Sequence, residues 1–167
     1  MGSLQWTNSN AVFITEIDDE HQEIFEAVSN LQKALADPGQ AADIPTKLRR
    51  LVSSIVGHFA HEERLMRAAR YGSLRWHKRS HDAAQRQVGQ YARRMGEGDT
   101  KAGLELVEYL TSWLHDHTRL ADRMMGAFLR NQERCMYKMT FRAGTKPLHA
   151  GNWIRANGER FNPINIG

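Results

Sequence analysis

The 167-residue chain has a single cysteine, Cys135. An internal disulfide is therefore impossible, and sulfur-rich zinc sites and iron–sulfur clusters are excluded. Long hydrophobic runs are also missing. The longest uncharged stretch, residues 1–15, is too short and too polar to span a membrane. No basic segment followed by an apolar run opens the chain, so no cleaved secretory signal is expected. These absences together predict a cytoplasmic protein. Most of the chain also lacks net charge. Residues 1–130 carry 17 basic and 17 acidic side chains, and the excess of +4 lies entirely in residues 131–167. Nucleic-acid binding is thus not expected of the main body, and an anionic partner could be recruited only by the basic C-terminal segment.

What remains is dominated by helical periodicity. Glycine and proline interrupt the chain at Asp37-Pro38-Gly39, at Arg70-Tyr71-Gly72-Ser73 and at Gly96-Glu97-Gly98-Asp99. Four segments with apolar residues three and four apart are delimited by these breaks, and none shows sustained strand-type alternation. Long helices joined by short loops predict an all-α fold, an antiparallel up-down-up-down four-helix bundle over residues 1–130. The first helix is expected to begin near Asp18 or Asp19, with Ser73 capping the third and Asp99 or Thr100 the fourth. Residues 131–167 hold Gly144, Gly151, Gly158, Pro147 and Pro163 with no apolar stripe. An irregular C-terminal extension is expected there.

The histidines fall where leucines would be expected. His21, His58, His77, His81 and His117 each occupy an apolar-seam position, and Glu62 lies on the seam of the second helix. Burying one unpaired polar side chain costs a few kcal/mol. Five imidazoles and a carboxylate converging in one core need something to bind. His58 and Glu62 are four apart, as are His77 and His81, so each pair shares a helix face. Five nitrogens are too many for one tetrahedral zinc but suit two first-row transition metals bridged by carboxylates. His61 and His115 point off the seam and His149 lies in the extension, so these three are expected in solvent. No histidine follows a glutamate by three residues, so the Glu-x-x-His pairs of ferritin-like oxidases are absent.

Residues 4–128 resemble the hemerythrin family, specifically the bacterial hemerythrins. The resemblance is carried by Trp6 and Ile17-Asp18-x-x-His21, by His58-Phe59-x-x-Glu62-Glu63-x-x-Met66, by Tyr71 with His77-x-x-x-His81, and by Trp113-Leu114-x-x-His117-x-x-x-x-Asp122. It implies two irons, one held by His77, His81 and His117 and the other by His21 and His58 with one coordination place open. Glu62 and Asp122 would bridge them, together with a solvent-derived oxo or hydroxo group. Asp122 rests on the resemblance, because five residues past His117 is about 140° around an ideal helix and spacing alone does not prefer it to Asp116. The implied function is reversible dioxygen binding for storage, delivery or sensing, without enzymatic turnover. A di-iron oxidase or ferroxidase, or a redox or nitric-oxide sensor, is the alternative use of the same residues. Ile24, Phe59, Trp113, Leu114 and Thr118 would line the oxygen pocket. Thr118 departs from the aliphatic residue usual in the family. Its hydroxyl, free to bond dioxygen or admit water, predicts faster autoxidation than in relatives. Gly72 stands where proline is common, and the extension is absent from the simple members.

Overall fold

The computed structural model describes residues 4–142 and the segments 147–149, 152–154 and 160–161, with side chains through Cys135. Helix α1 (Thr15–Ala36) leads through a 3-10 segment (Pro38–Asp43) into α2 (Ile44–Ala68), and α3 (Leu74–Gly96) follows. The next helix, α4 (Ala102–His117), passes without a break through a π-helical turn (Thr118–Asp122) into α5 (Arg123–Arg142). Helix α1 packs against α2 and α4, and α3 packs against the same two, which closes a four-helix bundle. The final helix runs past residue 130, and three short strands follow it: β1 (Pro147–His149), β2 (Asn152–Ile154) and β3 (Arg160–Phe161), paired antiparallel in that order. The extension therefore includes regular structure. The side chain of His149 and the glycine spacing at 144, 151 and 158 lie outside the described residues.

The seam pattern explains the packing. Ile24, Phe25, Val28 and Leu31 of α1, Leu51, Ile55 and Phe59 of α2, Ala84 and Val88 of α3, and Leu106, Leu110 and Leu114 of α4 form one buried apolar cluster. A smaller cluster of Met66, Tyr71 and Met125, covered by Leu74, Phe128 and Leu129, closes the other end. The polar side chains His21, His58, Glu62, His77, His81, His117 and Asp122 are also buried, beside the large cluster on every helix. Apolar packing thus holds a polar layer dry.

The helix starts differ in detail from expectation. Helix α1 begins at Thr15, and the Asp18 carboxylate instead accepts the amides of Val12 (2.8 Å) and Phe13 (2.9 Å) from the preceding arm. Ser73 stands at the N-cap of α3 without a capping side-chain bond. Asp99 accepts the Lys101 amide at 3.0 Å, at the entry to α4. Just past the end of α2, Arg70 adopts a left-handed conformation (φ 55). Among the described residues, no helix is long and apolar enough to cross a membrane.

Candidate metal centre

Each histidine of the polar layer presents Nε2 to a common space. Nε2 of His117 lies 3.1 Å from Nε2 of His77 and 3.1 Å from Nε2 of His81. On the other side stand His21 and His58, with ring centroids 4.5 Å apart. Two carboxylates run between the two sets. Glu62 turns Oε2 to His77 and His81 (3.2 Å each) and Oε1 to His58 (3.7 Å). Asp122 turns Oδ1 to His77 and His117 (3.0 Å each) and Oδ2 to His21 (3.1 Å). Two donor groups result, Glu62/His77/His81/His117/Asp122 and His21/His58/Glu62/Asp122, sharing only the carboxylates. All seven side chains are buried. Both oxygens of Glu62, both oxygens of Asp122 and both ring nitrogens of His21 have no well-aligned hydrogen-bond partner. Natural cores rarely tolerate such a concentration of unsatisfied groups. The donor set fits two cations, each facing one oxygen of each carboxylate.

The π turn accounts for Asp122. In an α-helix this residue would be rotated well away from His117, but i→i+5 bonding stacks residues five apart. Thr118–Asp122 inserts one such turn, which brings Asp122 onto the face of His117. Asp116 is exposed and faces away from the centre.

Three outer supports were not legible in the apolar pattern. Glu20 of α1 accepts the Nδ1 hydrogen bond of His58 on α2 at 2.9 Å. Glu63 of α2 stands 3.6 Å from Nδ1 of His81 on α3. Ser80 of α3 lies 3.1 Å from Nδ1 of His117 on α4. Each is the immediate chain neighbour of a layer residue; Glu20 and Ser80 hydrogen-bond a ring on the next helix and so fix its orientation, whereas Glu63 stands beside His81 as a nearby charge. His61 departs from its expected place in solvent: its Nδ1 shares Glu20 with His58, at 2.6 Å. His115 is exposed and pairs with Arg119.

The electrostatics follow from burial among opposite charges. Burial and the Asp122 charge push the Glu62 carboxyl up, but His58, His77 and His81 outweigh them and hold it down at about 2. Burial acts the same way on Asp122, and His117, His21 and His77 hold it well below the usual carboxylate range. Burial pushes His77 down, yet the Asp122 and Glu62 carboxylates, 3.0 and 3.2 Å from its Nε2, raise it to about 9. His58 is also raised: burial opposes this, and Glu62 and Glu20 overcome it. His81 is lowered, chiefly by burial.

The expected pocket residues surround this layer. The Phe59 ring stacks on His81 (centroids 3.9 Å apart, planes 3° apart), and Trp113 stacks on His117 (4.2 Å, 17°). Ile24 and Leu114 are buried in the large apolar cluster. Thr118 is buried, but its hydroxyl is engaged, accepting from Asn10 Nδ2 at 2.9 Å and lying 3.4 Å from the His115 carbonyl. The hydroxyl that the sequence offered to dioxygen or water thus has protein partners in the structure. An open groove of about 470 Å³, walled by Trp76, Tyr109 and Trp113, approaches the layer from outside at His117.

The Hemerythrin HHE cation binding domain matches residues 12–129, most of the chain. The chain belongs to the hemerythrin family. It is 35% identical over 161 residues to a bacteriohemerythrin of Pseudomonas aeruginosa, covering 96% of this chain and 99% of that protein. It is 32% identical over 117 residues to a myohemerythrin of Sipunculus nudus, covering 70% of this chain and 86% of that one. The crystal structure of a wild-type hemerythrin superposes with a TM-score of 0.68 at 25% identity, covering 77% of this chain and 98% of that chain. The Pseudomonas alignment is long enough to include most of the extension, so that hemerythrin relative shares it.

Proposed function

We propose that this hemerythrin-family chain is a non-heme di-iron protein that binds dioxygen reversibly. His77, His81 and His117 would hold one iron and His21 and His58 the other, with Glu62 and Asp122 bridging. The observation that carries the reading is the uneven division of a buried donor set, three imidazoles against two, with one oxygen of each carboxylate facing each group. The smaller group is one protein donor short, which leaves a coordination place for a small ligand. When bound, the two ferrous ions together would supply the two electrons that dioxygen binding takes up and its release returns.

The chain's own residues supply the rest. The histidine-rich set with two carboxylates favours reversible binding over the oxidation chemistry of carboxylate-rich sites. Phe59 covers the ring of His81 and Trp113 packs on that of His117, and Ile24 and Leu114 add buried apolar surface to this wall. Storage, delivery and sensing share this site. The basic residues of the extension offer a surface to an anionic partner.

The test is iron content per chain together with a visible spectrum before and after air reaches the anaerobically reduced protein. Two irons per chain, with a band that appears in air and vanishes under vacuum, is the expected result. Irreversible oxidation in a single step points to an oxidase or redox sensor. An iron-free product from an iron-replete preparation overturns the reading.

A further inference from the structure

The π turn is an unusual piece of backbone whose register decides where Asp122 points, and the segment before α1 grips it at both ends. At its first residue, Thr118 Oγ1 accepts a buried hydrogen bond of 2.9 Å from Asn10 Nδ2, across 108 residues of sequence. Just past its last residue, Arg123 donates to the carbonyls of Ser9 (3.2 Å) and Ala11 (3.4 Å). Three consecutive arm residues therefore span the turn from one end to the other. The arm is itself braced. Asn10 Oδ1 accepts from the Thr7 hydroxyl at 3.2 Å, so both ends of the Asn10 amide are used. Asp18 accepts the Val12 and Phe13 amides, and Arg130 donates to the Val12 carbonyl. Gly126 lets the arm come this close, since a Cβ there would stand 2.7 Å from the Val12 oxygen.

We propose that the arm is a splint for the π turn and that Asn10, through Thr118, is a positioning residue for the metal centre. Single π turns are rare, and the competing α-helical continuation would rotate Asp122 by about 140° away from the face of His117. A turn tied at both ends to a braced arm cannot make that change without breaking both ties. The tie also accounts for Thr118, the departure from the family's aliphatic residue. Its hydroxyl is the anchor for Asn10, where an isoleucine would leave the buried amide unpaired. The proposal rests on the di-iron reading for its functional meaning, though the mechanical part stands without metal.

The test compares the full-length wild type with Asn10→Ala, Thr118→Val (same shape, no hydroxyl), Thr118→Ser (hydroxyl kept) and the Asn10→Ala/Thr118→Val pair. Amide hydrogen exchange over residues 118–123 is measured on metal-free protein, and zinc uptake is titrated against a chelator. Asn10→Ala and Thr118→Val should each speed exchange in the turn by roughly tenfold. Each should also weaken the second zinc equivalent by about tenfold. Thr118→Ser should retain wild-type behaviour, and the pair should be no worse than either single change. Wild-type exchange in both single variants overturns the splint, as does an additive loss in the pair. If wild-type protein takes up fewer than two zinc equivalents, the two-metal reading falls and Asn10 loses its role toward the centre; the exchange data then judge the splint by itself.

Discussion

The proposed metal uptake should expel protons, and the amount follows from the layer's electrostatics. His77 is held at about 9 by Asp122 and Glu62, so at neutral pH its ring carries both protons in the metal-free protein. Ligation through Nε2 requires the neutral ring. Below about pH 9, then, each unit of pH should raise metal affinity tenfold through this one group. Between about pH 6 and pH 8 that is roughly a hundredfold, or ~2.7 kcal/mol. His58 is displaced in the same direction and adds to the slope with the same sign. Glu62 and Asp122 add nothing in this window, because both are already ionised well below it. The assay is zinc affinity by chelator competition at several pH values and constant ionic strength, with an indicator dye counting released protons in weak buffer. Affinity that stays flat across the window, or uptake that releases no proton, would refute the pairing of His77 with the two carboxylates.

Three further outcomes are expected. Metal-free protein should be most stable between about pH 4.5 and pH 6.5. The Glu62 contribution is present above 4.5 and lost as pH falls toward about 2, while that of His77 is present below 6.5 and lost as pH rises through about 9. Urea unfolding midpoints across pH check both limbs, and bound zinc should abolish the alkaline one. Phe59→Ala removes the ring stacked on His81 and leaves a cavity, so it should cost about 3–5 kcal/mol in denaturant unfolding and speed autoxidation of the reduced protein. Glu20→Ala removes the acceptor at Nδ1 of His58 and should weaken metal binding by about 10–100-fold in chelator competition, whereas His115→Ala should leave it unchanged.

The bundle was legible because each helix writes its buried stripe at the 3.6-residue period, and the histidines stood out by occupying that stripe. Asp122 was not legible from spacing. The local π turn changes the angular step, and nothing in the residues 118–122 announces it, so only the family pattern singled it out. Glu20, Glu63 and Ser80 were hidden for a different reason. They lie beside the stripe and act across helix boundaries, and a period computed along one helix carries no information about its neighbour's rings. Thr118 shows the same limit. Its hydroxyl was recognised as out of pattern, but its partner, Asn10, lies at the far end of the chain in a segment with no periodicity.

The supports run from α1 to a ring on α2, from α2 to α3, and from α3 to α4. Two of these are hydrogen bonds, from Glu20 and Ser80, and each holds a ring on the helix that follows. Undocking α1 would therefore remove His21 and also release the ring of His58, and undocking α3 would remove His77 and His81 and release the ring of His117. During synthesis His117 and Asp122 are the last donors made, and the site stays open until they arrive. In the proposed two-metal protein, a full metal complement would therefore report that all four helices have docked.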